Sequence, residues 1–116
     1  MDPYPPAQTS APADASDVTT SDRQPFTIAL FGDVDLVRKA EMLELASAFR
    51  RSGARDLDVD LRGVEFMDST GIGALFRLRR LTEERGGTVR LVAPTRPVRR
   101  ALDVAGLSEL VQIDEE

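Results

Sequence analysis

The chain has 116 residues, which is the size of one ordinary domain. Its 20 acidic and 15 basic residues give a formal net charge of -5, and four of the acidic residues fall within residues 1–22, which carry no basic residue. The rest of the chain is nearly neutral, which argues against a broad nucleic-acid surface. Cysteine and histidine are absent, so disulfides, thiolate or imidazole metal sites and a Ser-His-Asp triad are excluded.

No segment predicts a membrane span, since none approaches the roughly 20 apolar residues that a spanning helix requires. The N-terminus also lacks the basic stretch and apolar run of a secretory signal. We therefore expect a cytoplasmic protein without a membrane partner, and a monomer is the default.

Residues 1–24 are rich in proline, alanine, serine, threonine and aspartate. Such a composition buries too little apolar surface to offset the entropy of ordering the chain. We predict a disordered acidic tail over residues 1–24 and a single folded domain over residues 25–116. A short strand near Asp17–Thr20 is only weakly indicated.

The pattern changes at Pro25, where apolar residues begin to alternate with smaller or polar ones. This two-residue period predicts a first strand that ends at Gly32. A polar turn, Asp33–Asp35, leads into a helix from about Leu36 to Arg51, whose apolar residues recur at i, i+3, i+4 and i+7. Gly53 stands where glycine commonly ends a helix.

Strands and helices continue to alternate through the rest of the chain. Two glycines end the second helix, and a proline suits the first turn of the third. The predicted elements are a strand at Leu57–Leu61, a loop at Arg62–Asp68, a helix at Gly71–Arg85, a strand at Thr88–Val92, a helix from about Pro97 and a strand at Leu110–Ile113.

This order predicts an α/β fold with a mostly parallel sheet of four to five strands. Parallel strands that are covered on both faces read as continuous apolar runs. Here Asp58 and Asp60 occupy one side of a central strand, and Thr88 and Arg90 occupy one side of another. We therefore expect two layers with the helices on one face. The alternative is a three-layer, flavodoxin-like domain.

The segment Asp68-Ser69-Thr70 precedes the second helix, and all three residues are types that cap helix N-termini. One interpretation is that Ser69 is only a cap. The other is that its hydroxyl is modified, because free N–H groups and partial positive charge at a helix N-terminus accommodate a phosphate. Gly71 and Gly73 keep this turn thin enough for another protein to approach closely. They lack the further residues of a nucleotide-binding loop, so no cofactor is predicted.

Other residues near this segment allow two interpretations each. Ile72 and Phe76, four positions apart, form either an apolar patch beside Ser69 or the edge of the core. Four aspartates near predicted strand ends either hold a cation such as Mg²⁺ or are solvated loop residues, and we favour the second interpretation and predict no metal. The arginines of the second helix are interpreted as a solvated face. The aspartates are Asp33, Asp35, Asp60 and Asp68, and the arginines are Arg77, Arg79 and Arg80.

The run Phe66–Gly73 resembles the phosphorylation motif of STAS domains, and more narrowly that of bacterial anti-sigma-factor antagonists. Gly32-Asp33-Val34-Asp35 resembles the family's Gly-Glu-Leu-Asp motif, with aspartate in place of the usual glutamate. Val98–Leu107 resembles the family's C-terminal helix and its Gly-Leu ending. The resemblance covers about residues 25–114 and implies a two-layer β/α domain. The family's extra N-terminal strand would have to come from about residues 16–24.

The resemblance also implies a mechanism. An unphosphorylated antagonist binds an anti-sigma factor, which is a serine kinase carrying ATP or ADP, and thereby frees a sigma factor. The kinase then phosphorylates the serine that matches Ser69, with Thr70 as the alternative acceptor, and a metal-dependent serine phosphatase reverses this. Such a protein is a substrate and not an enzyme. The predicted partner-binding residues are Asp33, Asp35, Asp68, Gly71, Ile72 and Phe76.

A second hypothesis remains open. The chain could be a non-phosphorylated STAS scaffold subunit of a transport or stress-signalling complex. The intact Asp68-Ser69-Thr70 segment counts against it.

Overall fold

The computed structural model describes residues 24–115. The predicted tail, apart from its last residue Gln24, and the weakly indicated strand near Asp17–Thr20 lie outside the described residues. Strands and helices alternate along the whole described segment. In chain order the elements are β1 (Phe26–Val34), a 3₁₀ turn (Leu36–Arg38), α1 (Lys39–Ser52), β2 (Leu57–Met67), α2 (Ser69–Glu84), β3 (Val89–Val92), α3 (Arg96–Ala105), a second 3₁₀ turn (Leu107–Glu109) and β4 (Gln112–Asp114).

The described strands form one parallel sheet in the order β1-β2-β3-β4. Each strand is paired with the next one in the chain, and each pair is connected by a helix. The predicted α/β fold with a mostly parallel sheet is therefore confirmed.

Only one face of this sheet is buried. On that face Ile28, Val59 and Leu91 are shielded almost completely, and they pack with apolar side chains of the three helices. The opposite face is at least partly exposed, and there Arg90 bridges β2 and β4 by ion pairs to Asp58 (2.9 Å) and Asp114 (3.0 Å). The two-layer prediction is confirmed, and the three-layer alternative is wrong.

The β1 and β2 strands extend further than the alternation predicted. The predicted ends at Gly32 and Leu61 are wrong, because the strands continue as a pair to Val34 and Met67. Two register shifts disturb the two-residue period in this pair. Residues 62–67, predicted as a loop, are therefore strand. The buried residues at the end of β2 are three positions apart, namely Leu61, Val64 and Met67.

The predicted helices form, with differences at their ends. Gly53 and Gly106 end α1 and α3 in the left-handed conformation, with φ of 78° and 82°. The first predicted helix begins as the 3₁₀ turn, and the second begins at Ser69, two residues earlier than predicted. The last strand is shifted to Gln112–Asp114.

Arg85, just after α2, fixes the end of α1. Its guanidinium donates to the backbone carbonyls of Phe49 (3.1 Å), Ala54 (2.5 Å) and Arg50. It also lies over the Phe49 ring, 4.7 Å from the centroid. These contacts hold α1 and α2 side by side and so set the spacing between the two helices.

Candidate functional site

The predicted phosphorylation motif lies at the junction of β2 and α2, and Asp68 is the residue that caps the helix. Its side chain accepts hydrogen bonds from the backbone N–H groups of Thr70 (2.8 Å) and Gly71 (3.2 Å). The backbone of Asp68 is in the extended conformation, and Ser69 is the first residue of α2. The interpretation of Ser69 as the cap is therefore wrong, because Asp68 supplies that hydrogen bonding.

The Ser69 hydroxyl does not help to hold the described part of the chain together. It is exposed and makes no hydrogen bond with any residue between 24 and 115. The neighbouring Thr70 is half-buried. Ser69 is therefore the more accessible of the two hydroxyls that the sequence put forward.

Replacing Asp68 by alanine is expected to lower the free energy of unfolding by about 1 kcal/mol, because two N–H groups lose their acceptor. Replacing Ser69 by alanine is expected to change it by less than about 0.5 kcal/mol, since an exposed, unbonded side chain is removed. Urea denaturation followed by circular dichroism measures both. A larger loss in Ser69→Ala than in Asp68→Ala would contradict this assignment of the cap.

The two glycines of the motif face in opposite directions. A Cβ on Gly71 would lie 2.5 Å from Met67 Cγ and 2.8 Å from the carbonyl oxygen of Val34, so this glycine allows α2 to pack closely on the sheet. A Cβ on Gly73 would meet nothing within 4 Å. Of the two glycines that were predicted to keep this turn thin, Gly73 leaves outward space, whereas Gly71 faces the sheet.

The second motif lies next to the first in space. β1 and β2 end together, with Asp33 paired to Phe66 in the register, and the backbone N–H of Asp68 donates to Val34 O (3.3 Å). The Asp33 side chain is exposed at the end of β1. Asp35 is half-buried, and its carboxylate accepts from the N–H of Val37 (3.1 Å) and so caps the first 3₁₀ turn.

Arg38, which the sequence analysis did not single out, connects the first 3₁₀ turn to β1 by hydrogen bonds. Its guanidinium donates to the backbone carbonyls of Phe31 and Asp33 (3.0 Å for the latter) and pairs with both carboxylate oxygens of Glu41 (3.0 and 3.1 Å). The hydrogen bonds from Arg38 lower the pKa of Glu41 below its ordinary value. The three-residue spacing of Arg38 and Glu41 is the signal that could have found this pair.

The four aspartates considered as cation ligands are placed differently from one another. Asp35 and Asp68 cap helical turns. Asp60 pairs with Arg62 (3.0 Å), and the backbone N–H and guanidinium of Arg62 lower the pKa of Asp60. Between residues 24 and 115, no three such side chains lie close enough together to hold a metal ion.

Ile72 and Phe76 are half-buried and pack against the core, so they lie at its edge. Phe66, within the motif, is 50% exposed, and other exposed apolar side chains lie nearby that the sequence analysis did not propose as partner-binding residues. Val37 is 88% exposed, Leu36 65% and Leu43 41%. Leu36 and Val37 precede α1 and Leu43 lies within it, and Leu36 and Leu43 line the same groove as Ser69.

A groove of about 240 Å³ lies between the first halves of α1 and α2. Ser69, Thr70 and Gly73 line its α2 wall, and Leu36 and Leu43 line its α1 side. The groove was not foreseen from the sequence, because it exists only where the two helices pack against each other.

A family model described as "Mlab, STAS domain" matches residues 18–112. The chain belongs to the STAS domain family. One curated relative of this STAS domain is the anti-sigma-B factor antagonist of Staphylococcus aureus, which is 25% identical over 97 residues, covering 84% of this chain and 90% of that protein.

Solved structures show the same STAS fold. The anti-sigma factor antagonist SpoIIAA in its unphosphorylated form has a TM-score of 0.62 at 20% identity, covering 78% of each chain. A sulfate transporter family protein from Wolinella succinogenes has a TM-score of 0.69 at 17% identity, covering 84% of each chain. Between residues 24 and 115, no helix of this STAS domain has the length and apolar character needed to cross a bilayer.

Proposed function

We propose that this STAS domain is an anti-sigma factor antagonist that binds an anti-sigma serine kinase, carrying ATP or ADP, while Ser69 is unphosphorylated. Binding releases a sigma factor, and phosphorylation of Ser69 ends the interaction. The observation that carries the proposal is the exposed, unbonded Ser69 hydroxyl at the start of α2, where Asp68 already caps the helix. The names of the curated relatives support it.

In the proposed reaction this chain supplies the nucleophile, and the kinase supplies the catalytic groups. Ser69 Oγ attacks the γ-phosphorus of ATP, an Oγ–P bond forms, and the bond from that phosphorus to the bridging oxygen of ADP breaks. The hydroxyl proton passes to a base of the kinase. In the reverse process a phosphatase directs water onto the phosphorus, which returns the hydroxyl and releases inorganic phosphate. The protein is therefore a substrate and not an enzyme, and it works in the cytoplasm with its partners.

The proposed partner surface surrounds Ser69 on two sides. Asp33, Asp35 and Asp68 supply negative charge at the ends of β1 and β2, and the exposed Leu36 and Val37 supply apolar area. A phosphate adds about -1.5 to -2 charges and three acceptor oxygens at neutral pH. A partner that covers Ser69 would have to desolvate that group, so the modified form binds weakly.

Incubation with the cognate anti-sigma kinase and ATP is expected to add one phosphate, which intact-protein mass spectrometry detects. Ser69→Ala should abolish the added mass, and Thr70→Ala should retain it, because Thr70 is the less accessible hydroxyl. Full modification of Ser69→Ala, or its loss in Thr70→Ala alone, would contradict the assignment of the acceptor.

The alternative function is a non-phosphorylated scaffold in a transport or stress-signalling complex. The fold is compatible with this function, since a sulfate transporter family protein has the same fold. A pull-down from native lysate with wild-type protein and Ser69→Asp separates the two functions. Recovery of a kinase by the wild type alone supports the antagonist. Recovery of a transport or sensor assembly by both proteins, with no phosphate added, supports the scaffold.

A further inference from the structure

Two cationic side chains lie in the groove between α1 and α2, one from each helix. Lys39 is the first residue of α1, and Arg77 lies in the middle of α2. Neither makes a hydrogen bond or an ion pair with another residue between 24 and 115, and no carboxylate lines the groove. By contrast, Arg38 and Arg79 each pair with a glutamate. The groove therefore presents two positive charges that the described part of the chain does not balance.

The α2 wall of the groove is open between Ser69 and Arg77. The two residues are eight positions apart, about 12 Å along a helix axis. Gly73 lies midway, four residues from each, and a side chain there would have met nothing within 4 Å. Helical side chains tend to lean toward the N-terminus, so an arginine side chain at position 77 is long enough to reach back along this open stretch, and Ser69 and Arg77 line the same groove.

We propose that this groove binds the phosphate of phosphorylated Ser69 between Lys39 and Arg77. The inference rests on the proposed phosphorylation of Ser69. The charge of a phosphoserine, about -1.5 to -2, matches the two cations in the groove. The arginine offers paired N–H donors to phosphate oxygens, and the lysine offers a compact ammonium group.

This clamp has a consequence for the switch. The phosphate would join α1 to α2 and would occupy the groove, so a partner could use neither the groove nor its cations. The phosphorylated state would then differ from the unphosphorylated one in shape as well as in charge, without a change of fold.

The test uses the full chain with phosphoserine placed at position 69 by genetic encoding, so that no kinase is needed. The phosphate pKa is measured by ³¹P NMR titration. The wild-type background should give a phosphate pKa at least about half a pH unit below that of the Lys39→Gln, Arg77→Gln double variant, because nearby cations favour the dianion. The helix N-terminus also lowers this pKa, but it does so equally in both backgrounds.

Arg80→Gln is the matched control. Arg80 is also an exposed arginine of α2 without a partner in the described residues, but it does not line the groove. This variant should titrate like the wild type. A second readout is thermal unfolding, in which phosphoserine should raise the midpoint relative to serine by more in the wild type than in the double variant, where only the helix N-terminus still favours the phosphate. Because the exchanged side chains are exposed, the variants should fold.

Equal phosphate pKa values in the wild type and the double variant would overturn the clamp. Arg80→Gln removes one positive charge where the double variant removes two, so a change half as large in Arg80→Gln would also overturn the clamp, since net charge would then be the cause and not the groove. A kinase that fails to modify Ser69 would overturn the proposed function and leave this measurement intact. Equal phosphate pKa values in the two backgrounds, together with successful phosphorylation by the kinase, would overturn only the clamp.

Discussion

Gly71→Ala is expected to destabilise the domain by about 2–3 kcal/mol, the upper part of the range for overpacking in a core. The added methyl group would lie 2.5 Å from Met67 Cγ and 2.8 Å from Val34 O. The carbonyl belongs to the end of β1 and cannot rotate away, so α2 would have to move from the sheet. Urea denaturation measures the loss. Because the displaced turn carries Ser69, kinase binding should weaken as well.

Gly73→Ala is the matched control two residues further along the same helix. Its methyl group would enter open space, and alanine favours helix over glycine by about 1 kcal/mol, so stability should rise slightly. If both variants lost the same amount of stability, the close packing of Gly71 on Val34 and Met67 would not be its role.

Ser69→Asp is expected to weaken binding to the anti-sigma kinase by at least about tenfold, which corresponds to about 1.4 kcal/mol. The new carboxylate would stand at the point that the partner covers, where removing its hydration on binding is unfavourable. Titration calorimetry with the purified kinase and ADP measures the affinity. ADP in place of ATP prevents phosphorylation of the wild type during the measurement.

Ser69→Asn is the control for this second prediction. Asparagine has the size of aspartate without its charge, so it should retain affinity within about threefold if charge is the cause. Equal losses in Ser69→Asp and Ser69→Asn would show that steric exclusion, and not charge, ends the interaction. Full affinity in Ser69→Asp would contradict the proposed partner surface.

Most of the fold could be predicted from local patterns of apolar and polar residues in the sequence. Alternating apolar residues marked β1 and the first half of β2, and helical spacing marked the face of α1 that buries Met42, Ala46 and Phe49. The aspartates on one side of β2 indicated a single covered face. These features were predictable because each depends on neighbours within a few positions of the chain.

The second halves of β1 and β2 were not predictable in this way. Their register shifts arise from the pairing of two strands that are about 30 residues apart in the chain. The pairing places buried residues three positions apart at Leu61, Val64 and Met67, and a pattern of period two does not contain that spacing.

The candidate site likewise has features that the sequence determined and features that only the structure decided. The sequence alone determined that Asp68, Ser69 and Thr70 lie at the start of a helix inside a motif of a known family. Only the tertiary structure decided that Asp68 caps the helix and that Gly71 faces inward. It also brought Lys39 and Arg77 to opposite walls of one groove. The physical reason is that close contacts and grooves depend on how elements pack, and the choice of cap depends on the residue at which α2 begins, whereas helix and strand patterns depend on the spacing of residues along the chain.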